Sequence, residues 1–174
     1  MTSENSLSRH KWSKLSHLQV GRYAEHLATL RFIEAGLEVY STEVDDRGID
    51  QLVRYAPGRC LEIQVKAVRN RNLTYFLKSH LGSTPEAIIK RLVNGYCTAF
   101  FMFEDGTEPE LFLIPGYAWL TPNDLLKDNP VGDKSIGPNF ELNPTQKAQP
   151  ILDNYRFSAS LLEQIIQRIS DHGS

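Results

Sequence analysis

The sequence has little of what marks secreted, membrane-spanning or disulfide-rich proteins. Its 174 residues include two cysteines, Cys60 and Cys97, which lie far apart and form no CxxC pair. No apolar run approaches the roughly 20 residues of a membrane helix, and the first residues lack the apolar segment of a signal peptide. These absences predict a cytoplasmic protein with reduced thiols and no membrane partner.

Histidine content and overall composition exclude little more. The five histidines show neither metal-ligand nor triad spacing. A hydrophobic content of 41% and a charged content of 23% are ordinary for a soluble globular chain. A chain of this length is expected to form one domain with a substantial core.

Charge is distributed unevenly along the chain. The formal net charge of -2 argues against a generic nucleic-acid binder. Residues 9–91, however, contain 14 Lys or Arg against 9 Asp or Glu, whereas residues 92–174 contain 5 against 11. A basic half of this kind fits a local phosphate-binding face. It is equally consistent with a chance distribution of solvent-exposed charges.

A capping box predicts the start of the first helix. Ser16 is followed three residues later by Gln19, a pattern in which each side chain bonds the other residue's backbone N–H. Apolar residues then recur with helical periodicity until Gly36 supplies a stop signal. The predicted apolar stripe consists of Val20, Tyr23, Ala24, Leu27 and Leu30. Glu25 lies near the edge of this stripe, where small neighbours would let its carboxylate approach a sheet.

Alternating and continuous apolar segments predict the strands. They are expected at residues 37–44, 50–55, 60–68, 73–77, 97–103 and 110–115, with turns at 45–48 and 57–59. A second helix is expected at residues 85–94. The order helix, three strands, helix, two strands predicts an α/β fold with a mixed sheet, because hairpins make antiparallel pairs and a helical crossover allows a parallel pair.

The last third of the chain changes character. Prolines recur too often within residues 121–156 for long regular elements, at Pro122, Pro130, Pro138, Pro144 and Pro150. This segment is interpreted as an extended excursion over the surface or an arm to a partner subunit. A second capping box, Ser160 to Glu163, predicts a C-terminal helix. Its apolar face comprises Leu161, Leu162, Ile165, Ile166 and Ile169.

The strand predicted at residues 60–68 carries polar groups on one face. Glu62, Gln64 and Lys66 alternate with Leu61, Ile63, Val65 and Ala67. Such a polar face could point to solvent or line a site. Asp50, one hairpin upstream and two residues after Gly48, favours a site, since this combination can hold a divalent metal and a phosphodiester together.

Three motifs follow one another along the sequence: GRYAEHLA, then GID, then EIQVK. Together they resemble the PD-(D/E)XK nuclease superfamily, which has the restriction-endonuclease-like fold. The Gln-x-Lys ending is similar to the Mrr-like branch, and the overall spacing resembles a group of uncharacterised bacterial nuclease-like domains. The resemblance covers residues 16–120. It implies a mixed sheet flanked by helices in the order α-β-β-β-α-β-β.

The resemblance also implies roles for individual residues. Asp50 matches the metal-binding Asp, Gln64 the second metal ligand, and Lys66 the lysine that orients or deprotonates the attacking water. Glu25 matches a first-helix Glu that supports the metal site. Ile49 stands where the family has Pro, and the neutral Gln64 weakens the site by one charge. These departures leave room for a catalytically weakened member.

For the remaining candidate residues, a functional role and a solvent-exposed role both remain open. Glu62 could substitute for Gln64 or hold a second metal, or it could be a solvent-facing strand residue. The basic residues near the motifs could contact phosphates or be solvated: Arg22, Arg69, Arg71 and Lys78.

The function that the resemblance implies is a nuclease dependent on Mg²⁺ or Mn²⁺, acting on DNA in restriction, defence or DNA processing. The alternative is a catalytically weak or inactive module on the same fold that binds nucleic acid or a protein partner. A homodimer through residues 121–174 is a further expectation.

The predicted organisation has four parts. A flexible leader spans residues 1–15, and a nuclease-like core spans residues 16–120. A Pro-, Gly- and Asn-rich extension covers residues 121–157. The C-terminal helix, residues 158–174, is expected to pack on the core or on a partner subunit.

Overall fold

A five-stranded mixed sheet with helices on both faces is the centre of the fold. The computed structural model describes residues 10–42, 48–133 and 137–172. The helices are α1 (His17–Glu34), α2 (Pro85–Val93), α3 (Gln149–Asp153) and α4 (Ala159–His172). The strands are β1 (Glu38–Ser41), β2 (Gln51–Ala56), β3 (Arg59–Arg69), β4 (Thr74–Leu77), β5 (Tyr96–Phe103), β6 (Glu110–Pro115), β7 (Leu126–Asp133) and β8 (Gly137–Leu142).

The main sheet confirms the predicted fold class. Its strand order is β1-β2-β3-β5-β6. β3 and β5 run parallel, and the other neighbouring pairs are antiparallel. The chain crosses from β3 to β5 through β4 and α2. Because β4 belongs to the second sheet, the main sheet and its helices follow the expected order of helix, three strands, helix and two strands.

β5 lies between two hydrophobic cores. All eight of its residues are buried, as predicted for its continuous apolar run. Phe101 and Phe103 join the core beneath α1 and α4, whereas Phe100 and Met102 join the core between the main sheet, α2 and the remaining strands. Side chains of one strand therefore anchor both layers.

Helix α1 begins where the sequence predicts. The Ser16 hydroxyl accepts from the Gln19 backbone N–H at 3.2 Å, and Gln19 Oε1 accepts from the Ser16 N–H at 2.8 Å. Gly36, just past the helix, has a φ of +81°, which favours glycine.

The predicted stripe of α1 is partly wrong. The buried residues are Val20, Ala24, Ala28 and Phe32. Tyr23 and Leu30 are 41% and 55% exposed. The small side chains of Ala24 and Ala28 let α1 approach the sheet closely, and residues spaced by four then form the buried face.

The expectation of no long regular elements in residues 121–156 is also wrong. β7 and β8 form a second, three-stranded antiparallel sheet with β4, in the order β4-β8-β7. Pro130 lies on the edge strand β7, where the register breaks between Asn129 and Asp133. Pro138 precedes the last β4–β8 pair, Leu77 with Asn139. Both prolines thus occupy positions that need no ladder N–H.

The N-cap of the C-terminal helix lies two residues before the predicted cap. The Ser158 hydroxyl accepts from the Leu161 backbone N–H at 3.1 Å, so Ser158 rather than Ser160 is the N-cap. Leu162, Ile165 and Ile169 pack into the core beneath α1. The helix therefore covers the main sheet of its own chain.

The end of the predicted leader is folded onto the core. Residues Trp12–Lys14 form a short 3-10 turn. The Trp12 side chain is 6% exposed, and its Nε1 donates to the Thr107 carbonyl oxygen at 3.0 Å. The flexible-leader prediction is wrong for these residues, because one large aromatic side chain is buried. Residues 1–9, and most of the predicted turn at 45–48, lie outside the described residues.

Within the described ranges, none of the helices combines the length and apolar character needed to cross a membrane.

Ser158→Ala should lower the free energy of unfolding by about 1 kcal/mol, the usual cost of losing an N-cap hydroxyl. The matched control is Ser160→Ala in the first turn of the same helix, which should stay within about 0.5 kcal/mol of the parent protein. Urea denaturation measures both. An equal or larger loss for Ser160→Ala would contradict the assignment of the cap.

Candidate active site

The site forms where two neighbouring strands separate. The β2–β3 ladder reaches the pair Gln51 and Ile63, while β3 continues to Arg69 and stays paired with β5 on its other side. The Asp50 backbone N–H still bonds the Ile63 carbonyl at 2.9 Å. Beyond that point, Asp50 Oδ2 accepts from the Val65 N–H at 2.5 Å. The carboxylate therefore takes the place of the next ladder acceptor.

Asp50 is also fixed from the β1 side. The Thr42 backbone N–H donates to the Asp50 carbonyl oxygen at 3.1 Å, and the Thr42 hydroxyl donates to the Ile49 carbonyl at 2.7 Å. Gly48 has a φ of +61°, and a Cβ there would lie 3.2 Å from Gln64 Nε2 and 3.1 Å from the His80 Cβ. The glycine of the GID motif thus permits a close turn against the polar face of β3.

Asp50 and Glu25 line a common cleft. The cleft has a volume of about 610 Å³ and lies between α1 and the strand ends of β1 and β2. Its lining residues are Arg22, Glu25, His26, Thr29, Ser41, Thr42, Asp50 and Gln51. At its mouth, Arg22 Nη1 pairs with Glu25 Oε2 at 2.9 Å, and the Arg22 side chain is 73% exposed.

Gln51 is a site residue that the sequence analysis missed. It is 2% exposed, and its Nε2 donates to the Glu25 carbonyl oxygen at 2.7 Å and to Thr29 Oγ1 at 2.9 Å. Its Oε1 is buried and has no donor among the described residues. The available signal was its position, because Gln51 shares the buried face of β2 with Val53.

Gln64 is buried beside Tyr96 rather than in the cleft. It is 3% exposed, and its Oε1 accepts from the Tyr96 hydroxyl at 2.6 Å. Burial raises the pKa of Tyr96 well above its ordinary value, so the phenol remains a donor. Metal binding by Gln64 stays a prediction. Its oxygen would have to bind the metal and accept the hydrogen bond from the Tyr96 hydroxyl at the same time.

Lys66 follows Gln64 by two residues on the same face of β3 and is half-buried. In register it lies opposite Phe100 of β5. Asp50 bonds the backbone of Val65, between these two residues, so the three predicted motif positions are adjacent. Among the described residues that line the cleft, Gln64 and Lys66 are absent.

Glu62 is held by helix α2. Its Oε2 accepts from Arg91 Nε at 2.6 Å, and the Arg91 side chain is 17% exposed. The Nη1 of Arg91 also donates to the His80 carbonyl oxygen. A metal-ligand role for Glu62, which stays a prediction, would require this ion pair to open.

Each of the four predicted phosphate contacts already has a partner inside the fold. Arg69 Nη1 donates to the carbonyl oxygens of Trp12, Ser13 and Leu15, at 3.1, 3.2 and 2.7 Å. Phosphate binding by Arg69 would compete with these bonds. Of the four, only Arg22 lines the cleft.

Arg71 and Lys78 support the second sheet and its surroundings. Arg71 Nη1 donates to Gln149 Oε1 at 2.6 Å. Lys78 pairs with Asp128, and its Nζ lies 4.7 Å from the centre of the Phe140 ring. The sequence could not reveal these partners, because they lie 50 or more residues away along the chain.

The donor set of the cleft fits a hard divalent cation. No group of three or more His, Cys, Asp or Glu side chains within the described ranges is arranged to hold a metal. The cleft is instead lined by two acidic residues, Asp50 and Glu25, the latter paired with Arg22, and by Gln51, whose amide oxygen is buried and has no donor among the described residues. Mg²⁺ accepts such oxygen ligands and keeps several of its waters, so few protein ligands suffice.

Comparison with known proteins finds similarity at the level of solved structures. No protein-family model matches the chain. No curated protein matches it either. The chain is similar to Hjc, a Holliday junction resolvase from the archaeal hyperthermophile Archaeoglobus fulgidus, with 14% sequence identity and a TM-score of 0.45. The similarity covers 75% of this chain and 88% of that one.

Tyr96→Phe should lower the free energy of unfolding by about 1–3 kcal/mol, because it leaves the buried Gln64 oxygen without its donor. Tyr75→Phe is the matched control, since Tyr75 is 40% exposed. Thermal and urea unfolding of both variants measure the difference. Equal stability of the two would mean that the Tyr96–Gln64 bond contributes nothing.

Proposed function

We propose that the protein is a metal-dependent nuclease of the PD-(D/E)XK superfamily that hydrolyses phosphodiester bonds in DNA. One observation carries this proposal. The Asp50 carboxylate is fixed at the separation of β2 from β3, bonded to the Val65 N–H between Gln64 and Lys66. Asp50 also lines a cleft together with Glu25 and Gln51.

The residues that line the cleft would bind the metal, and Lys66 would assist the reaction. Asp50, Glu25 and the Gln51 oxygen would hold Mg²⁺ or Mn²⁺. When bound, such an ion lowers the pKa of a water molecule that it coordinates and stabilises negative charge on a phosphoryl oxygen. Lys66 would orient or deprotonate the attacking water. Deprotonation would require the neutral amine, whereas in its ammonium form Lys66 would orient the water and stabilise the negative charge that develops on the phosphoryl group, an effect that is usually a large part of catalysis.

The chain's own contacts would position the substrate. Arg22, at the mouth of the cleft, can leave the Glu25 carboxylate and bind a phosphate instead, because a guanidinium pairs with either anion. The exposure of this ion pair keeps the cost of opening it small. Glu25 would then be released to face the metal. The Arg22–Glu25 pair of α1 would thus couple substrate binding to completion of the ligand set.

A second candidate function is a weakly active or inactive module that binds nucleic acid. The observation favouring it is the neutral Gln64, whose oxygen is engaged by Tyr96. With one acidic ligand fewer, the site would hold a cation more weakly. Such a module would bind nucleic acid without a need for Mg²⁺.

Asp50→Asn should reduce cleavage by at least about 100-fold, a loss typical of removing a key electrostatic group from an active site. This variant keeps an oxygen that can accept from the Val65 N–H, so the strand contact survives. Lys66→Met should give a loss of similar size, whereas Glu163→Gln on α4 should leave cleavage unchanged. The assay uses plasmid, linear, single-stranded and branched DNA, with RNA, in Mg²⁺, Mn²⁺ and EDTA.

The outcome distinguishes the two functions. Cleavage retained by both Asp50→Asn and Lys66→Met would refute the nuclease assignment. Binding without cleavage, measured over a range of salt concentrations, would favour the binding module. A steep loss of affinity with salt is expected in that case, because phosphate contacts release counterions.

A further inference from the structure

The amide of Gln64 lies in a buried polar cluster on the face of β3 that also carries Lys66. Gln64 is paired with Thr98 across the parallel β3–β5 ladder, and Tyr96 precedes Thr98 by two residues on the same face of β5. Gln64, Thr98 and Tyr96 are 3%, 0% and 1% exposed. Because the three side chains are shielded from water, their polar atoms depend on one another for hydrogen-bond partners.

The hydrogen bonds of this cluster are incomplete. The Tyr96 hydroxyl donates its single proton to Gln64 Oε1 at 2.6 Å. Burial raises the pKa of Tyr96, whereas the Thr98 hydroxyl acts in the opposite direction, so the two hydroxyls are neighbours. Thr98 Oγ1 nevertheless has no hydrogen-bond partner within the described part of the chain. One acceptor of the cluster is thus left without a donor.

The nitrogen end of the Gln64 amide points toward the GID motif. Gln64 Nε2 lies 3.2 Å from the position that a Cβ would occupy on Gly48, and His80 Nδ1 lies 3.2 Å from the same position. This is the side of Asp50, whose carboxylate accepts from the Val65 N–H next to Gln64. An amide NH₂ group is a hydrogen-bond donor, whereas Mg²⁺ requires oxygen ligands. In this orientation Gln64 offers no ligand atom on the Asp50 side.

A half-turn of the Gln64 amide would complete the cluster. The rotation has little steric cost, because the oxygen and the NH₂ group are similar in shape and the terminal torsion of glutamine is broad and two-fold. The Tyr96 oxygen can then accept from Gln64 Nε2, and the Tyr96 hydroxyl can donate to Thr98 Oγ1. The Gln64 oxygen turns to the side of Gly48 and Asp50. The inverted orientation therefore pairs the Thr98 acceptor and presents an amide oxygen where a cation needs one.

We propose that Tyr96 and Thr98 are positioning residues that hold the Gln64 amide in the inverted orientation, with its oxygen on the Asp50 side, when a divalent cation binds. Tyr96 changes from the donor to Gln64 into the acceptor from Gln64, and Thr98 accepts the hydrogen bond that Tyr96 then makes. In the cation-free protein the amide keeps the orientation described above. The metal-facing role of Gln64 rests on the proposed function, whereas the hydrogen-bond cluster itself does not.

The direct test follows the Gln64 side-chain NH₂ group by ¹⁵N-resolved NMR while Mg²⁺ is added to the full chain. Without Mg²⁺, the NH₂ protons should show nuclear Overhauser contacts to the α-protons of Gly48. With Mg²⁺, these contacts should be replaced by contacts to the Tyr96 ring. Asp50→Asn, which keeps the acceptor for the Val65 N–H, should abolish the change.

Thr98→Val separates positioning from a purely structural role. It removes a hydroxyl that has no described partner in the cation-free orientation, so the midpoint of urea unfolding should not fall. It also removes the acceptor that the inverted orientation requires. Mg²⁺ should therefore bind about fivefold more weakly by calorimetry, the usual effect of one net hydrogen bond. Thr121→Val, at an exposed position, is the matched control and should change neither quantity.

Gln64→Glu gives a second, independent check. A carboxylate has two oxygens, so one can accept from Tyr96 while the other binds the cation without any inversion. Thr98→Val should therefore weaken Mg²⁺ binding in the parent protein but leave it unchanged in the Gln64→Glu background.

The outcomes separate this proposal from the nuclease assignment. Mg²⁺ binding that shifts the Asp50 signals but leaves the Gln64 contacts unchanged would refute the inversion and leave the metal site standing. Equal weakening by Thr98→Val in both backgrounds, or an earlier urea midpoint, would assign Thr98 a structural role only. A folded parent protein that binds no Mg²⁺ would refute the metal site and, with it, the positioning role of Tyr96 and Thr98.

Discussion

The hydrogen bond from the Val65 N–H to the Asp50 carboxylate is the contact on which the candidate active site depends. It lies where β2 stops pairing with β3, so a side chain takes over a role that backbone carbonyls fill elsewhere in the sheet. Strand separation opens the cleft, and the carboxylate prevents the exposed edge of β3 from losing its partner. The fold alone therefore requires a hydrogen-bond acceptor at Asp50, whether or not a metal binds there.

The fold keeps its two recesses apart through the alternation of β5. Successive residues of this buried strand point to opposite faces, so Phe101 belongs to the α1 layer and Phe100 to the α2 layer. The polar cleft lies on the side of α1, whereas a second recess, whose lining includes Ile88, Leu92 and Phe140, lies among α2 and the second sheet. Among the described residues, the two recesses share none of their lining side chains.

Local signals in the sequence predicted local structure well. The Ser16 and Gln19 capping box, the continuous apolar β5 and the alternation of β3 all depend on neighbouring residues, and the structure confirms them. The cap of α4 was misplaced because Ser158 and Ser160 are equally competent locally. The Phe157 N–H, bonded to the Leu111 carbonyl, fixes the chain just before Ser158. Partners of Arg69, the burial of Gln51 and the second sheet were hidden from sequence analysis, since each depends on residues distant along the chain.

The pairing of β4 with β8 also bears on the order in which the molecule folds. Residues 74–77 meet residues 139–142, whereas the β2–β3 and β5–β6 hairpins join segments that are close in sequence. Closing a long loop costs more chain entropy than closing a short one, and non-local pairing slows folding. The second sheet is therefore expected to assemble after the main sheet has formed. An intermediate at that stage would expose Phe76 and Phe140 to water and to other chains, so the interval before β8 docks is when aggregation competes with folding.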